Sequence, residues 1–352
     1  MNSSHWKSSR AQRGVALVTV LFLFALATVI ISGVVATNYI NTQRASSVLE
    51  SEQAYLLCLS GEELARAMLA DDFLTNPNID HAHEKWAIPG NILEVDNGYI
   101  EVSIEDAQGK FNLNNLVTNA GVADPNYKLA FQRLLDIALH DETRSALLAG
   151  EAADWLDVDT INGVEDADYL SETIPYRPAN SPVTDISELR WLKDMDLPTY
   201  RLLQQEIFPF MVALPKSNVA GAAGATRFNI NTVSAPVLAA ILGMVPGDAE
   251  KAVQVIQGNK DGYSDVAQAI ALFPPQAQSA LGQHAVTYTE YFQVRVRARF
   301  ADHYAFLTSL IFRDHQKGTL SVLSRDRSER FIFPFSKDYN GNLKTKDYDI
   351  DI

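Results

Sequence analysis

The sequence predicts an α+β chain. One long N-terminal helix packs on a small antiparallel sheet, and a large all-α domain is inserted between strands of that sheet. Three observations predict it. No charged side chain occurs from Val15 to Gln43, and helically spaced apolar residues follow. Apolar and polar residues alternate at 99–106 and again, more strongly, at 287–300, the period of a half-buried strand. Between those segments the chain carries helix-start signals rather than alternation.

Lys7, Arg10 and Arg13 precede the apolar run, with no Asp or Glu among them. Residues 15–36 are about long enough to span a bilayer as a helix with every backbone group bonded internally. The basic flank keeps the N-terminal end in the cytoplasm. A secretory signal would have an apolar core of about 7–15 residues closed by an A-x-A-like site, and this core is longer. Beyond it Leu49, Leu56, Leu57, Leu64, Ala67 and Met68 recur at helical spacing among Ser, Gln and Glu. One helix over 15–70 is expected, apolar all round and then amphipathic, roughly 80 Å long at about 1.5 Å per residue. A plain anchor needs no such length. A subunit that packs helix on helix along a fibre does.

The stretch from "TNPNID" to "PGNIL" is turn-rich and reads as a loop. "YAFLTSLIFRD" and "TLSVLSRD" read as further strands of a sheet with one buried and one wet face. The sheet unit is assigned to 71–111 and 286–335, the inserted helical domain to 112–285. In the insert, Asp124 is an N-cap with Pro125 at the first helical position. Asp185 with Ser187, and Ser234, suggest further starts. "GKFNLNNL" at 109–116 is echoed by "RFNINTV" at 227–233, where Asn amides suit turn closure. Residues 336–352 are polar and read as a disordered tail.

The net charge of −14 disfavours a polyanionic partner, because Lys and Arg drive nucleic-acid binding. The lone Cys58 reads as a packed small hydrophobe. Residues 151–176 hold eight acids and no Lys or Arg. Hard oxygen ligands around a Gly-bearing loop suit Ca²⁺; the alternative is a solvated acidic loop. Asp157, Asp159, Glu165 and Asp166 lead the candidate ligands, with Asp154, Asp168 and Asn180 beside them. The EF-hand pattern is not met, since Gly163 falls one place late and Asp168 stands where Glu is expected. "ILGMVPGDAEKAVQVI" resembles a helix-hairpin-helix, which leaves open a membrane-anchored periplasmic nucleic-acid binder. Asp248 and Glu250 beside its turn argue instead for a structural hairpin. His81 and His83 could ligate zinc, but spacing supplies no third ligand. No nucleophile–base, metalloprotease or phosphate-loop motif occurs, so no enzyme is expected.

Arg13-Gly14 followed at once by "VALVTVLFLFALA" resembles the start of the type IV pilins and pseudopilins. The resemblance implies that a prepilin peptidase cuts after Gly14, that Val15 becomes an N-methylated first residue, and that the mature chain carries −17. Most of that class have Glu at the fifth mature position; here it is Thr19. That departure, the helical insert, and the blocks "DWLDVD", "GVEDADYL", "PYRPAN" and "DISELR" together resemble the general secretion pathway protein K family of minor pseudopilins. The likeness runs to about Phe335. It implies a non-enzymatic subunit at the tip of a type II secretion pseudopilus, anchored in the inner membrane with its C-terminal domain periplasmic. It further implies assembly with I-type and J-type minor pseudopilins, contact with the H type and the major pseudopilin, a role in priming the pseudopilus for export across the outer membrane, and calcium in the insert.

Overall fold

The computed structural model describes residues 10–88, 91–158, 164, 166–216 and 224–328. Helix α1 runs unbroken over Arg10–Thr75. It extends five residues past the expected end, because Asp72 and Phe73 still have work on the sheet: both meet Arg313.

The sheet is five-stranded and antiparallel, in the order β1-β2-β7-β8-β9. Its strands are β1 (Asn91–Val95), β2 (Gly98–Asp106), β7 (Tyr291–Phe300), β8 (His303–Arg313) and β9 (Leu320–Asp326). β1 corrects the loop reading: Asp96 and Asn97 turn it into a hairpin with β2, Asn97 taking φ 62° as such tight turns require. β7 begins at Tyr291 rather than 287. Thr287 and Thr289 leave the ladder because Asp80 claims them, the Thr289 N–H donating to Asp80 Oδ2 at 2.6 Å.

Ile100, Val102 and Ile104 of β2, Val294 and Val296 of β7, and Leu307 and Ile311 of β8 form one buried face. α1 lies on it through Ala54, Cys58, Gly61, Ala65 and Leu69, a stripe of mostly small residues. A Cβ on Gly61 would sit 2.5 Å from Val296 Cγ1 and 2.8 Å from Ile100 Cγ2, so glycine permits the close approach. The leucine pattern had pointed to a different stripe. Leu57, Leu64 and Met68 flank the contact, whereas Leu49, Leu56 and Ala67 face outward.

The insert leaves after β2 and returns before β7. It holds β3 (Phe111–Asn112), α2 (Pro125–Leu139), α3 (Glu142–Leu156), α4 (Asp166–Leu170), α5 (Leu197–Glu206), β4 (Met211–Val212), β5 (Phe228–Asn229), α6 (Ala235–Leu242), α7 (Pro246–Gly258), α8 (Val266–Ile270), α9 (Pro275–His284) and β6 (Ala285–Val286). Phe111 and Val286, assigned to the sheet unit on sequence, belong here. β3 pairs in parallel with β4, and β5 with β6. The Asp124 cap on α2 is made, its carboxylate accepting from Asn126 and Tyr127 N–H groups. Asp185 caps a short 3-10 helix rather than an α-helix, and Ser234 makes no side-chain cap.

The two Phe-Asn motifs act over long range as well as locally. Asn114 donates to Val183 O and accepts from Val183 N–H, both at 2.9 Å. Asn115 does the same with Thr226, and Asn231 with Tyr263. Each buried amide completes a distant backbone pair that would otherwise go unsatisfied. The junction with the sheet is closed likewise: Asp106 Oδ2 accepts from Asn229 at 2.9 Å, from Thr232 at 2.5 Å and from Thr289.

Candidate functional sites: the bare helix, the acidic loop and a buried acid cluster

Among the described residues, nothing packs on the first half of α1. Val15 is 65% exposed, Phe24 69% and Val29 70%. It is a helix long and apolar enough to cross a bilayer. Its threonine hydroxyls bond back to carbonyls of the same helix. Thr19 Oγ1 donates to the carbonyls of Val15 and Ala16 at 3.0 and 2.9 Å, and Thr28 and Thr37 bond back by four residues. Thr19 is therefore a neutral side chain with its hydrogen already given away. The backbone at Gly14 is helical; its surroundings lie outside the described set.

The acidic loop begins where α3 ends. Asp159 and Glu165 lie outside the described residues. Asp154 Oδ2 accepts from Val164 N–H at 3.0 Å, and Asp157, buried, terminates α3. Asn180 N–H donates to Trp155 O at 2.9 Å, and its side chain donates to Asp166 at 3.1 Å. This ties Asp154 to the segment at 164 and Asn180 to both the end of α3 and Asp166, while among the described residues Asp154, Asp157 and Asp166 do not bring three carboxylate oxygens within 4.8 Å of one another. Asp168 turns away to Lys193 Nζ at 2.9 Å, and Asp166 also meets Arg177 at 3.1 Å. The acidic run thus takes compensating cations from outside itself. Asn180 adopts φ 43°, and its Oδ1 is buried with no hydrogen-bond partner among the described residues. An orphaned amide oxygen beside carboxylates fits a hard cation. Glu151, buried nearby, is pushed up to about 7 by burial and by Asp194.

Sequence reasoning missed a third cluster. Asp72, Asp80 and Glu84 offer oxygens within 4.8 Å of one another. Arg313 fills the space a metal would take. Its Nη2 reaches both Asp80 oxygens at 2.5 and 2.6 Å and its Nη1 reaches Asp72 at 3.0 Å, and it is 1% exposed. Glu84 Oε2 accepts from Trp86 Nε1 at 2.6 Å and from His81 N–H at 3.1 Å. Burial, with Asp72 nearby, pushes its carboxyl up to about 7. Burial also raises Asp72 and Asp80 against the pull of Arg313. The acid density of 71–84 was visible in the sequence, but nothing there pointed to Arg313. His83 Nε2 meets Gln257 O at 2.6 Å, and His81 Nδ1 accepts from His83 N–H. One ring nitrogen of each histidine is thus engaged within the protein.

The helix-hairpin-helix resemblance holds as geometry. α6 ends at Gly243 in the left-handed conformation (φ 65°) and α7 starts at Pro246. Lys251, the cation beside the turn, pairs with Asp248 at 3.1 Å.

Comparison with known proteins places this architecture. A family model described as type II secretion system, protein K matches residues 109–216, the first part of the insert. The type II secretion system protein K of Pseudomonas aeruginosa is 34% identical over 334 residues, covering 91% of this chain and 94% of that protein. That of Klebsiella pneumoniae is 32% identical over 265 residues, covering 73% and 78%. A crystal structure of the GspK–GspI–GspJ complex from enterotoxigenic Escherichia coli superposes with a TM-score of 0.69 at 28% identity. The match covers 82% of this chain and all of that one. With the bare helix, the sheet head and the helical insert in one chain, the protein belongs to the type II secretion system protein K family.

Proposed function

We propose that this chain is the minor pseudopilin at the tip of a type II secretion pseudopilus, where it primes assembly for export across the outer membrane. The observation that carries the reading is the asymmetry of α1. Its first half is bare and apolar, and its head bears a bulky insert beside a slim sheet. Such a head caps a thin filament more readily than it repeats along one. In this reading a prepilin peptidase cuts after Gly14, Val15 is methylated, and the helix holds the inner membrane with the head in the periplasm. The partners are I-type and J-type minor pseudopilins, as in the complex its relative forms, with the H type and the major pseudopilin further down. Thr19 supports an end position, because it offers no carboxylate to the N-terminal amine of a preceding subunit. The role is structural rather than catalytic.

Calcium belongs to the same proposal. Asp154, Asp157, Asp166 and Asn180, with Asp159 and Glu165 of the adjoining segment, would supply the oxygens. The ion would neutralise like charges and tie the end of α3 to the segment around Asn180. Asp168, held by Lys193, is the weakest candidate. An Asp157→Asn variant that kept the full calcium-dependent rise in Tm would remove Asp157 from the set.

Mass spectrometry of the mature N-terminus tests the filament reading. A methylated Val15 is expected, and an intact leader would overturn it. Co-purification of the chain with its I-type and J-type partners tests the tip assignment.

A further inference from the structure

Residues 76–88, between α1 and β1, tie the sheet to the insert. On the sheet side the Trp86 ring stands edge-on to Phe292 of β7, with centroids 5.2 Å apart. On the insert side His83 Nε2 donates to Gln257 O in the last turn of α7. A carbonyl only accepts, so this nitrogen carries a hydrogen whether or not the ring is charged. The His81 ring lies against the turn beyond α7, where a Cβ on Gly262 would sit 2.9 Å from its Cδ2. Glu84, buried, holds the two sides together. Its Oε2 accepts from Trp86 Nε1 and from His81 N–H.

The other oxygen, Oε1, is buried with no hydrogen-bond partner among the described residues. His81 Nε2 is 3.6 Å away, beyond hydrogen-bond reach. Because His81 Nδ1 accepts from His83 N–H, the ring hydrogen sits on Nε2 and the ring stays neutral. Burial and the nearby His83 favour the same state, against the pull of Asp261 from the insert. The charged groups facing Glu84 are Asp72 from α1, Asp80 from its own segment and Arg313 from β8. Arg313 is committed to Asp72 and Asp80. Ionised Glu84 would be a third buried carboxylate around one guanidinium, with no further cation beside it among the described residues. The orphaned Oε1 is where its proton sits.

We propose that Glu84 is a proton-operated latch: protonated at Oε1 it holds the α7 corner to the sheet, and ionised it lets that corner go. Once charged, the carboxylate must reach water, and turning outward takes Oε2 away from both Trp86 Nε1 and His81 N–H. Burial and Asp72 push the carboxyl up to about 7, so the latch is closed below neutrality and opens as pH rises through about 7. This concerns the head alone and is independent of the filament reading. The test is hydrogen exchange of the full chain in nanodiscs over a series from pH 5 to pH 8. Each amide's rate is taken relative to its intrinsic rate at that pH. Amides of 257–263 should open roughly tenfold more often at pH 8 than at pH 6, about the most that a carboxyl with a folded midpoint near 7 supplies over that interval. Sheet amides at 294–298 should not change. Glu84→Gln should abolish the pH dependence at 257–263. Asp72→Asn removes the neighbouring charge but keeps an oxygen for Arg313, and should move the change to lower pH. No difference between pH 6 and pH 8 overturns the proposal, and so does one shared equally by 294–298. A difference that survives in Glu84→Gln belongs to another group and overturns it too. Should that variant not fold, an unmoved midpoint in Asp72→Asn does the same.

Discussion

The two halves of α1 share one helix and obey opposite rules. From Val15 to about Ile40 every large apolar residue is close to half exposed or more. From Ala54 onward the helix is pressed to the sheet so closely that one added methyl at Gly61 would collide with Val296. Large apolar side chains mark the half whose partners lie outside the chain. Small ones mark the half whose partner is within it. Hydrophobicity alone therefore misplaces the intramolecular contact, because close helix–sheet approach selects for small size.

The sharpest way to break the packed half is Arg313→Ala. Arg313 joins Asp72 at the end of α1 to Asp80 below the sheet. Its loss leaves buried carboxylates unpaired, which costs about 3–5 kcal/mol. Chemical denaturation of the head should show an unfolding free energy lower by that order. Gly61→Val comes next. Overpacking of this kind costs about 1–3 kcal/mol, and the same measurement should detect it. An unaffected variant would mean the helix can lift from the sheet.

A pH series sharpens the comparison at smaller amplitude. The Glu84 carboxyl, lifted to about 7 by burial, binds its proton more tightly folded than unfolded. Folding is therefore favoured as pH falls from about 7 towards the ordinary carboxylate range, and weakened as pH rises through about 7. Glu62 opposes this at lower pH. Burial alone would raise it, but Arg325 and Ser309 overcome that and hold it below the usual range. Its contribution is present above the unfolded value and lost as pH falls through the lowered one. Glu84→Gln should remove part of the loss of Tm between pH 6 and pH 8 and leave the acid limb intact.

How much of this was legible follows the range of each interaction. The Asp124–Pro125 start of α2, the long β7–β8 hairpin and the unbroken α1 rest on local periodicity and caps, which a sequence displays. The start of β7 was misread because Thr287–Glu290 alternate like a strand yet bend to satisfy Asp80 and Asp106, residues some 180–210 positions away. The acidic loop was visible as a cluster, but its compensating Arg177 and Lys193 sit outside the window that defined it. The Asn amides were read as turn closers, and they are; their clasp on Val183, Thr226 and Tyr263 depends on the fold.

The gentlest test acts on the bare half alone. Thr19→Glu replaces a hydroxyl bonded to Val15 and Ala16 with a carboxylate in an apolar span, where an ionised group must find a partner. The head is remote from position 19, so its stability should change by less than about 0.5 kcal/mol. Cleavage after Gly14 should continue. If the subunit sits at an end of the filament, the new carboxylate meets no neighbouring amine, and secretion should be unchanged or slightly reduced. A clear gain in secretion would mean that a neighbour's amine does lie there. Thr19 would then be a missing contact rather than a mark of position, and the chain would sit within the filament rather than at its end.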